Sequence, residues 1–140
     1  MAQSAYKFKG VLPRFFATLI DMVLLGIAGV VLNVAAMSGA QIADPDLLTL
    51  LYAVYALVMM LYIVILEAGG GTPGKRMLGM RIVSAQDGGA PGLGKSIIRN
   101  LLRFVDMLPF AYLLGVILIA SSDTKQRLGD RAAGTYVVKA

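Results

Sequence analysis

The sequence predicts an all-α membrane protein, a small bundle of three to four membrane helices with a minor two-stranded β element on its cytoplasmic side. Three observations predict it. Two runs are each long and apolar enough to cross a bilayer. The composition is 58% hydrophobic and only 15% charged, with mean hydropathy +0.76, against about 45–50% and about 25% in soluble domains. Two short β-prone segments lie outside the apolar runs. The 140 residues make one domain and no more. Lipid is the expected solvent, because so few charges cannot cover a soluble surface.

The first span covers about 14–37, FFATLIDMVLLGIAGVVLNVAAM after Arg14. Pro13 suits a first helical turn, where its missing N–H is not needed. Lys7, Lys9 and Arg14 before an apolar run resemble a secretory leader. The run is longer than the 7–15 residues of a leader core and holds Asp21, so an uncleaved span is expected. A carboxylate at that depth costs about 2.5–3.5 kcal/mol. At 100° per residue Arg14, Thr18, Asp21 and Leu25 share one face. Arg14 and Asp21 are two turns apart, about 10 Å along the axis, which is too far for a direct pair. Asp21 is therefore expected to meet another helix, with Arg99, Arg103 or Tyr55 as partners. Two readings stay open for it, a proton or cation site and a structural ion pair.

A short polar loop follows, with Asp46 as a candidate helix cap. The second span, 47–66, is LLTLLYAVYALVMMLYIVIL. It has no charge and matches a hydrocarbon core of about 30 Å. Tyr52, Tyr55, Met59 and Tyr62 form a stripe along it. The stripe is read either as hydroxyls facing Asp21 or as interfacial aromatic belts.

Residues 67–93 change character. Their run GGGTPGK carries the glycine spacings of phosphate-binding loops. However, Arg76 stands where such a loop needs Ser or Thr, and a membrane span precedes it in place of a buried strand. The expected role is a flexible turn with Lys75 and Arg76 at the headgroups. The segments 77–84 and 134–139 are β-prone and are expected to pair with each other.

In 94–105, Lys95, Arg99 and Arg103 recur at i, i+4 and i+8 on one face. Ile97, Ile98, Leu101, Leu102 and Val105 make the other, so this is an amphipathic helix. The last apolar run, 104–120, is short and is interrupted by Asp106 and Pro109. Basic residues set the orientation. The N-terminus, the 67–103 loop and the tail are all basic, and the first loop has no Lys or Arg. All three basic parts are therefore expected inside. That requires 94–120 to enter and return, broken near Pro109, as a hairpin.

Cysteine and histidine are absent. This removes disulfides, thiol nucleophiles, imidazole chemistry and zinc sites built on Cys or His. A hard-cation oxygen site is not removed, but no metal or cofactor is expected. The net charge of +5 fits loops facing anionic headgroups better than nucleic acid, for which no basic motif is present. Asp130, beside Arg127 and Arg131, is read as an exposed ion pair of little worth. Arg103 and Asp106 lie at i and i+3 and are placed for local pairing. No carboxylate pair or activated serine is visible, so no enzyme is expected.

Arg14 opening the first span, Asp21 within it, TPGKRMLGMRIV after the second, and QRLGDRAAGTYVV near the end together resemble the RDD family of bacterial integral membrane proteins. The resemblance covers about residues 8–138. It maps the family's arginine and first aspartate onto Arg14 and Asp21. The second aspartate maps onto Asp130, with Asp106 as the alternative. It implies a multi-pass protein of the bacterial inner membrane and a transport role, with cation/proton antiport as one form. Two functions are carried forward. In one, Asp21 exchanges protons in a transport component, which needs a homo-oligomer or a partner membrane protein. In the other, a non-catalytic module binds a partner protein or anionic lipid through the basic helix 94–103 and the basic tail.

Overall fold

The computed structural model describes residues 6–39, 44–106 and 108–140, with only the backbone described for 39, 106 and 109–112. Part of the expected polar loop, at 40–43, and the Asp106 side chain with its expected pairing to Arg103 lie outside the described residues.

Helix α1 spans Val11–Gly39 and helix α2 spans Pro45–Ala68. Both are long and apolar enough to cross a membrane. The N-cap of α2 is Asp44, not Asp46: its carboxylate accepts from the Asp46 N–H at 3.0 Å, and Pro45 occupies the first turn. The predicted third span is two short helices, α4 (Gly92–Asp106) and α5 (Pro109–Ser121). At 15 and 13 residues each falls short of the roughly 20 that a crossing needs. Two helices of crossing length are thus present among the described residues, where the sequence predicts three to four membrane helices. The break falls just before Pro109, whose residue i−1, Leu108, is extended (φ −63°, ψ 137°), as a residue before proline prefers.

The remaining elements form a small cap. Helix α3 (Pro73–Met77) follows the glycine run, strand β1 is Met80–Ser84, helix α6 is Leu128–Ala133, and strand β2 is Thr135–Lys139. The two strands pair antiparallel as expected, with Ile82 opposite Val137. The first strand begins three residues later than predicted, because Met77 closes α3. On the other edge of β2, Phe8 bridges Val138 and the Lys9 N–H donates to the Val137 carbonyl at 3.0 Å. The segment before α1 and the end of the chain therefore lie side by side.

Among the described residues most hydrophobic burial lies in this cap, with Val64 of α2 and Ile119 of α5 buried outside it. Met80, Ile82 and Val137 pack with Ala17 of α1 on one face of the sheet. On the other, Val83, Tyr136 and Val138 pack with Tyr6 and Phe8. Along α1 and α2 the large apolar side chains stay exposed, including Phe15, Met22, Val30, Leu50, Leu57 and Ile65. A surface so apolar would be expelled from water, so lipid is its natural solvent. Helix α4 makes the same point in reverse. Its polar residues Ser96, Arg99 and Asn100 are buried, and Ile97, Ile98, Leu101, Phe104 and Val105 point outward.

Candidate functional site, a buried ion network and the cavity beside it

Two carboxylates organise the interior. Asp130, in the first turn of α6, is fully buried. It accepts from Arg14 at 2.5 Å, from Arg99, and from the Arg127 backbone N–H at 3.3 Å. The Arg127 Nε lies 3.6 Å away. Arg14 is held in turn by the carbonyls of Lys9 (3.0 Å) and Lys125 (2.6 Å). Arg99 also donates to Thr135 Oγ1 at 2.7 Å. Burial alone would raise the Asp130 carboxyl, but Arg99, Arg14 and Arg127 outweigh it and hold the group well below the usual carboxylate range. The sequence reading of Asp130 as an exposed, nearly worthless pair is therefore corrected. Its side chain points into the cap and joins α1, α4 and α6.

Glu67, at the end of α2, is the second centre and was not singled out from the sequence. It is fully buried and pairs with Lys75. It also lies 3.4 Å from Arg99 and 3.5 Å from Arg103, and accepts from Asn100 at 3.0 Å. Ser96 of α4 donates to the Val64 carbonyl at 2.6 Å, which fixes the crossing of α4 over α2. Lys75 is 5% exposed, not at the headgroups as expected. The glycine run turns it inward, and Gly71 reaches a φ of 152° that only glycine adopts readily. Burial lowers the Lys75 ammonium to about 8, against the opposing pull of Glu67.

Asp21 meets none of its expected partners. Its carboxylate accepts from Thr72 Oγ1 at 2.5 Å and from the Gly74 backbone N–H at 2.7 Å. It thus caps the start of α3 from another helix. Gly74 is required there, because a Cβ would collide with the Ala17 carbonyl oxygen. Tyr55 reaches α1 one turn further along, donating to the Leu25 carbonyl at 2.7 Å. Tyr52 bonds Asn33, while Tyr62 faces outward. Thr18 donates within its own helix to the Arg14 carbonyl at 2.9 Å. Arg14, Thr18, Asp21 and Leu25 do share one face, and that face lines a cavity.

The cavity has a volume of about 530 Å³. It follows α1 from Val11 to Leu25 and is closed by Ile63 of α2 and by Gly115, Val116 and Ile119 of α5. Its polar wall is Arg14, Thr18, Asp21, Thr72, Arg103 and Arg127. Among the described residues the ion network and cavity together bring five cations (Arg14, Lys75, Arg99, Arg103, Arg127) to three carboxylates (Asp21, Glu67, Asp130).

The signal for Glu67 was present in the sequence. A lone acid closes an uncharged span, and Ser96, Arg99, Asn100 and Arg103 make an i, i+3, i+4, i+7 polar stripe that needs a buried partner. The stripe including Lys95 was offset by one residue. Lys95 sits at the rim, donating to Ser84 Oγ at 2.6 Å.

Neither the curated proteins nor the solved structures give a match to this chain. The RDD family model matches residues 8–134, a range that contains both carboxylate centres, Asp21 and the cavity, and the chain belongs to the RDD family.

Proposed function

We propose that this RDD-family chain is a non-enzymatic, multi-pass module of the bacterial inner membrane that binds an anionic ligand in the cavity between α1 and α5. The observation that carries the reading is that, among the described residues, five cations meet three carboxylates in a water-poor interior. Three of the cations (Arg14, Arg103 and Arg127) line the cavity itself. A cluster of guanidiniums in a low-dielectric wall makes a positive field that attracts an anion. The basic N-terminus, loop and tail favour the cytoplasmic side, and the pairing of Phe8 with Val138 supports one side for both chain ends. Helices α4 and α5 then enter and return without crossing. The test is saturable stabilisation of the detergent-purified protein by a soluble phosphate ester, lost in Arg103→Gln/Arg127→Gln. Stabilisation by no anion of any kind would overturn the reading.

A second reading is transport. Asp21 is the one described carboxylate lining the cavity, with the Thr18 and Thr72 side chains beside it. Proton-coupled cation exchange through Asp21 predicts ion-dependent proton flux in proteoliposomes, abolished by Asp21→Asn. Equal flux in the variant and the wild type would end this reading.

A further inference from the structure

We infer that the cap is docked into the membrane surface, with α4 lying in the plane of one leaflet and its apolar face turned to the acyl chains. The partner is an anionic lipid surface. This goes beyond the ligand reading and is independent of what fills the cavity. It rests only on α1 and α2 crossing the membrane. The first observation is how α4 meets α2. Ser96, Arg99, Asn100 and Arg103 span about 10 Å of helix axis. Their bonds and ion pairs to α2 nevertheless all fall on Val64 and Glu67, within one turn. Helices running side by side meet along their lengths, so α4 lies across the end of α2 and hence near the membrane plane. Its other face carries Leu93, Ile97, Leu101 and Phe104, all exposed. An in-plane amphipathic helix buries such a face about 5–10 Å into the boundary between headgroups and chains.

The second observation is depth. Ala17 packs on the sheet and Asp21 bonds to Thr72 and Gly74, so the first three turns of α1 run beside the cap. On the opposite face of those turns Leu12 is 69% exposed and Phe16 52%, much like Val30 in mid-span at 62%. The apolar face of α1 thus continues along the height of the cap, which sets the cap against lipid. The turn from α3 to β1 adds a second apolar point, with Met77 70% exposed.

The third observation is charge. Among the described residues of the cap and the strands that flank it, Lys7, Arg76, Arg81, Arg131 and Lys139 are exposed, against the exposed acids Asp87 and Asp123. Arg76 and Arg81 bracket Met77 and Leu78, which places guanidiniums on either side of an apolar point. Cations around a shallowly inserted apolar patch fit the phosphates of an anionic leaflet. The basic surface expected of α4 is therefore supplied by other residues, since the arginines of α4 turn inward to Glu67 and Asp130.

The full chain is labelled with a nitroxide at Leu101→Cys, Met77→Cys, Leu57→Cys or Lys139→Cys and reconstituted into liposomes of phosphatidylglycerol and phosphatidylcholine. Depth is read from collisions with oxygen against collisions with a nickel chelate. Leu57→Cys, in mid-span, should be the deepest. Leu101→Cys and Met77→Cys should lie about 5–10 Å below the phosphates, and Lys139→Cys should be open to nickel. Nickel reaching Leu101→Cys and Met77→Cys as readily as Lys139→Cys would overturn the docking. Leu101→Cys as deep as Leu57→Cys would make α4 a span and overturn it too. Leu57→Cys open to nickel would instead overturn the membrane crossing on which the inference rests. Spin-labelled phosphatidylglycerol should associate with the wild type about fivefold more than spin-labelled phosphatidylcholine, the worth of about one cation at the surface. Arg76→Gln/Arg81→Gln should remove most of that preference. Equal association of the two lipids with the wild type, or a preference unchanged in the double variant, would overturn the anionic partner.

Discussion

Replacing Asp130 by Asn should be among the most damaging single changes in the chain. The carboxylate is fully buried and holds Arg14 at 2.5 Å, Arg99, and Arg127 at 3.6 Å. Asparagine keeps the shape but removes the charge and turns an NH2 group toward guanidiniums that cannot accept from it. Removing one partner of a buried ion pair typically costs about 3–5 kcal/mol, because the other is left buried and uncompensated. For a chain of this size about 1 kcal/mol moves the melting temperature by roughly 4 °C, so a drop on the order of 10–20 °C is expected. The assay is thermal unfolding by circular dichroism in a nonionic detergent, with exposed Asp123→Asn as the control. The pH dependence supplies a second arm. Burial raises the Asp130 carboxyl, but the three arginines lower it further, so its folded value lies well below the unfolded 3.8. Its stabilisation is then fully present above about pH 4 and lost as pH falls through the folded value. Asp130→Asn should flatten that acid limb. A loss of under about 1 kcal/mol, or an acid limb unchanged in the variant, would refute this assignment.

The other expectations concern the neighbouring groups. Glu67→Gln should cost about 3 kcal/mol or more, whereas Lys75→Met should cost less, since the carboxylate it leaves behind keeps other cationic and hydrogen-bond partners. Arg99, Arg103 and Asn100 still hold Glu67 in the Lys75 variant. Denaturant titration in micelles compares the two, and equal losses would contradict the ranking. Gly74→Ala should destabilise by about 1–3 kcal/mol through overpacking against the Ala17 carbonyl, and a neutral result would place α3 away from α1. Asp21→Asn retains an oxygen for the Gly74 N–H and should lose only about 1 kcal/mol, whereas Asp21→Ala should lose more. Equal losses in the two variants would remove the capping role.

The membrane class was legible because it depends on runs and totals. The two spans read as 14–37 and 47–66 appear as helices with ends within a few residues. The β pair was legible from propensity at both partners. The shared face of Arg14, Thr18, Asp21 and Leu25 followed from helical geometry alone. What was not legible is which groups meet. Sequence spacing places Asp21 on a face, but its partners come from Thr72 and Gly74, whose positions depend on how the glycine run folds back. Asp130 looked exposed because its local neighbours, Arg127 and Arg131, are polar. Its burial is decided by Arg14 and Arg99, 116 and 31 residues away. Helix α4 was read correctly as amphipathic. Which face points inward was not legible, because in lipid the usual rule inverts and the polar stripe becomes the buried one.

The proposed function requires the first-span arginine, the loop and the tail to form one ionic cluster at the cytoplasmic end of a multi-pass protein. The chain has no cysteine, so single cysteines can be introduced at Lys7, Asp44 and Lys139 without background. Labelling intact cells with a membrane-impermeant maleimide tests the claim most directly. Asp44→Cys should label, while Lys7→Cys and Lys139→Cys should be protected until the membrane is opened. Labelling of Lys139→Cys from outside, with Lys7→Cys protected, would separate the tail from Arg14 and contradict the account.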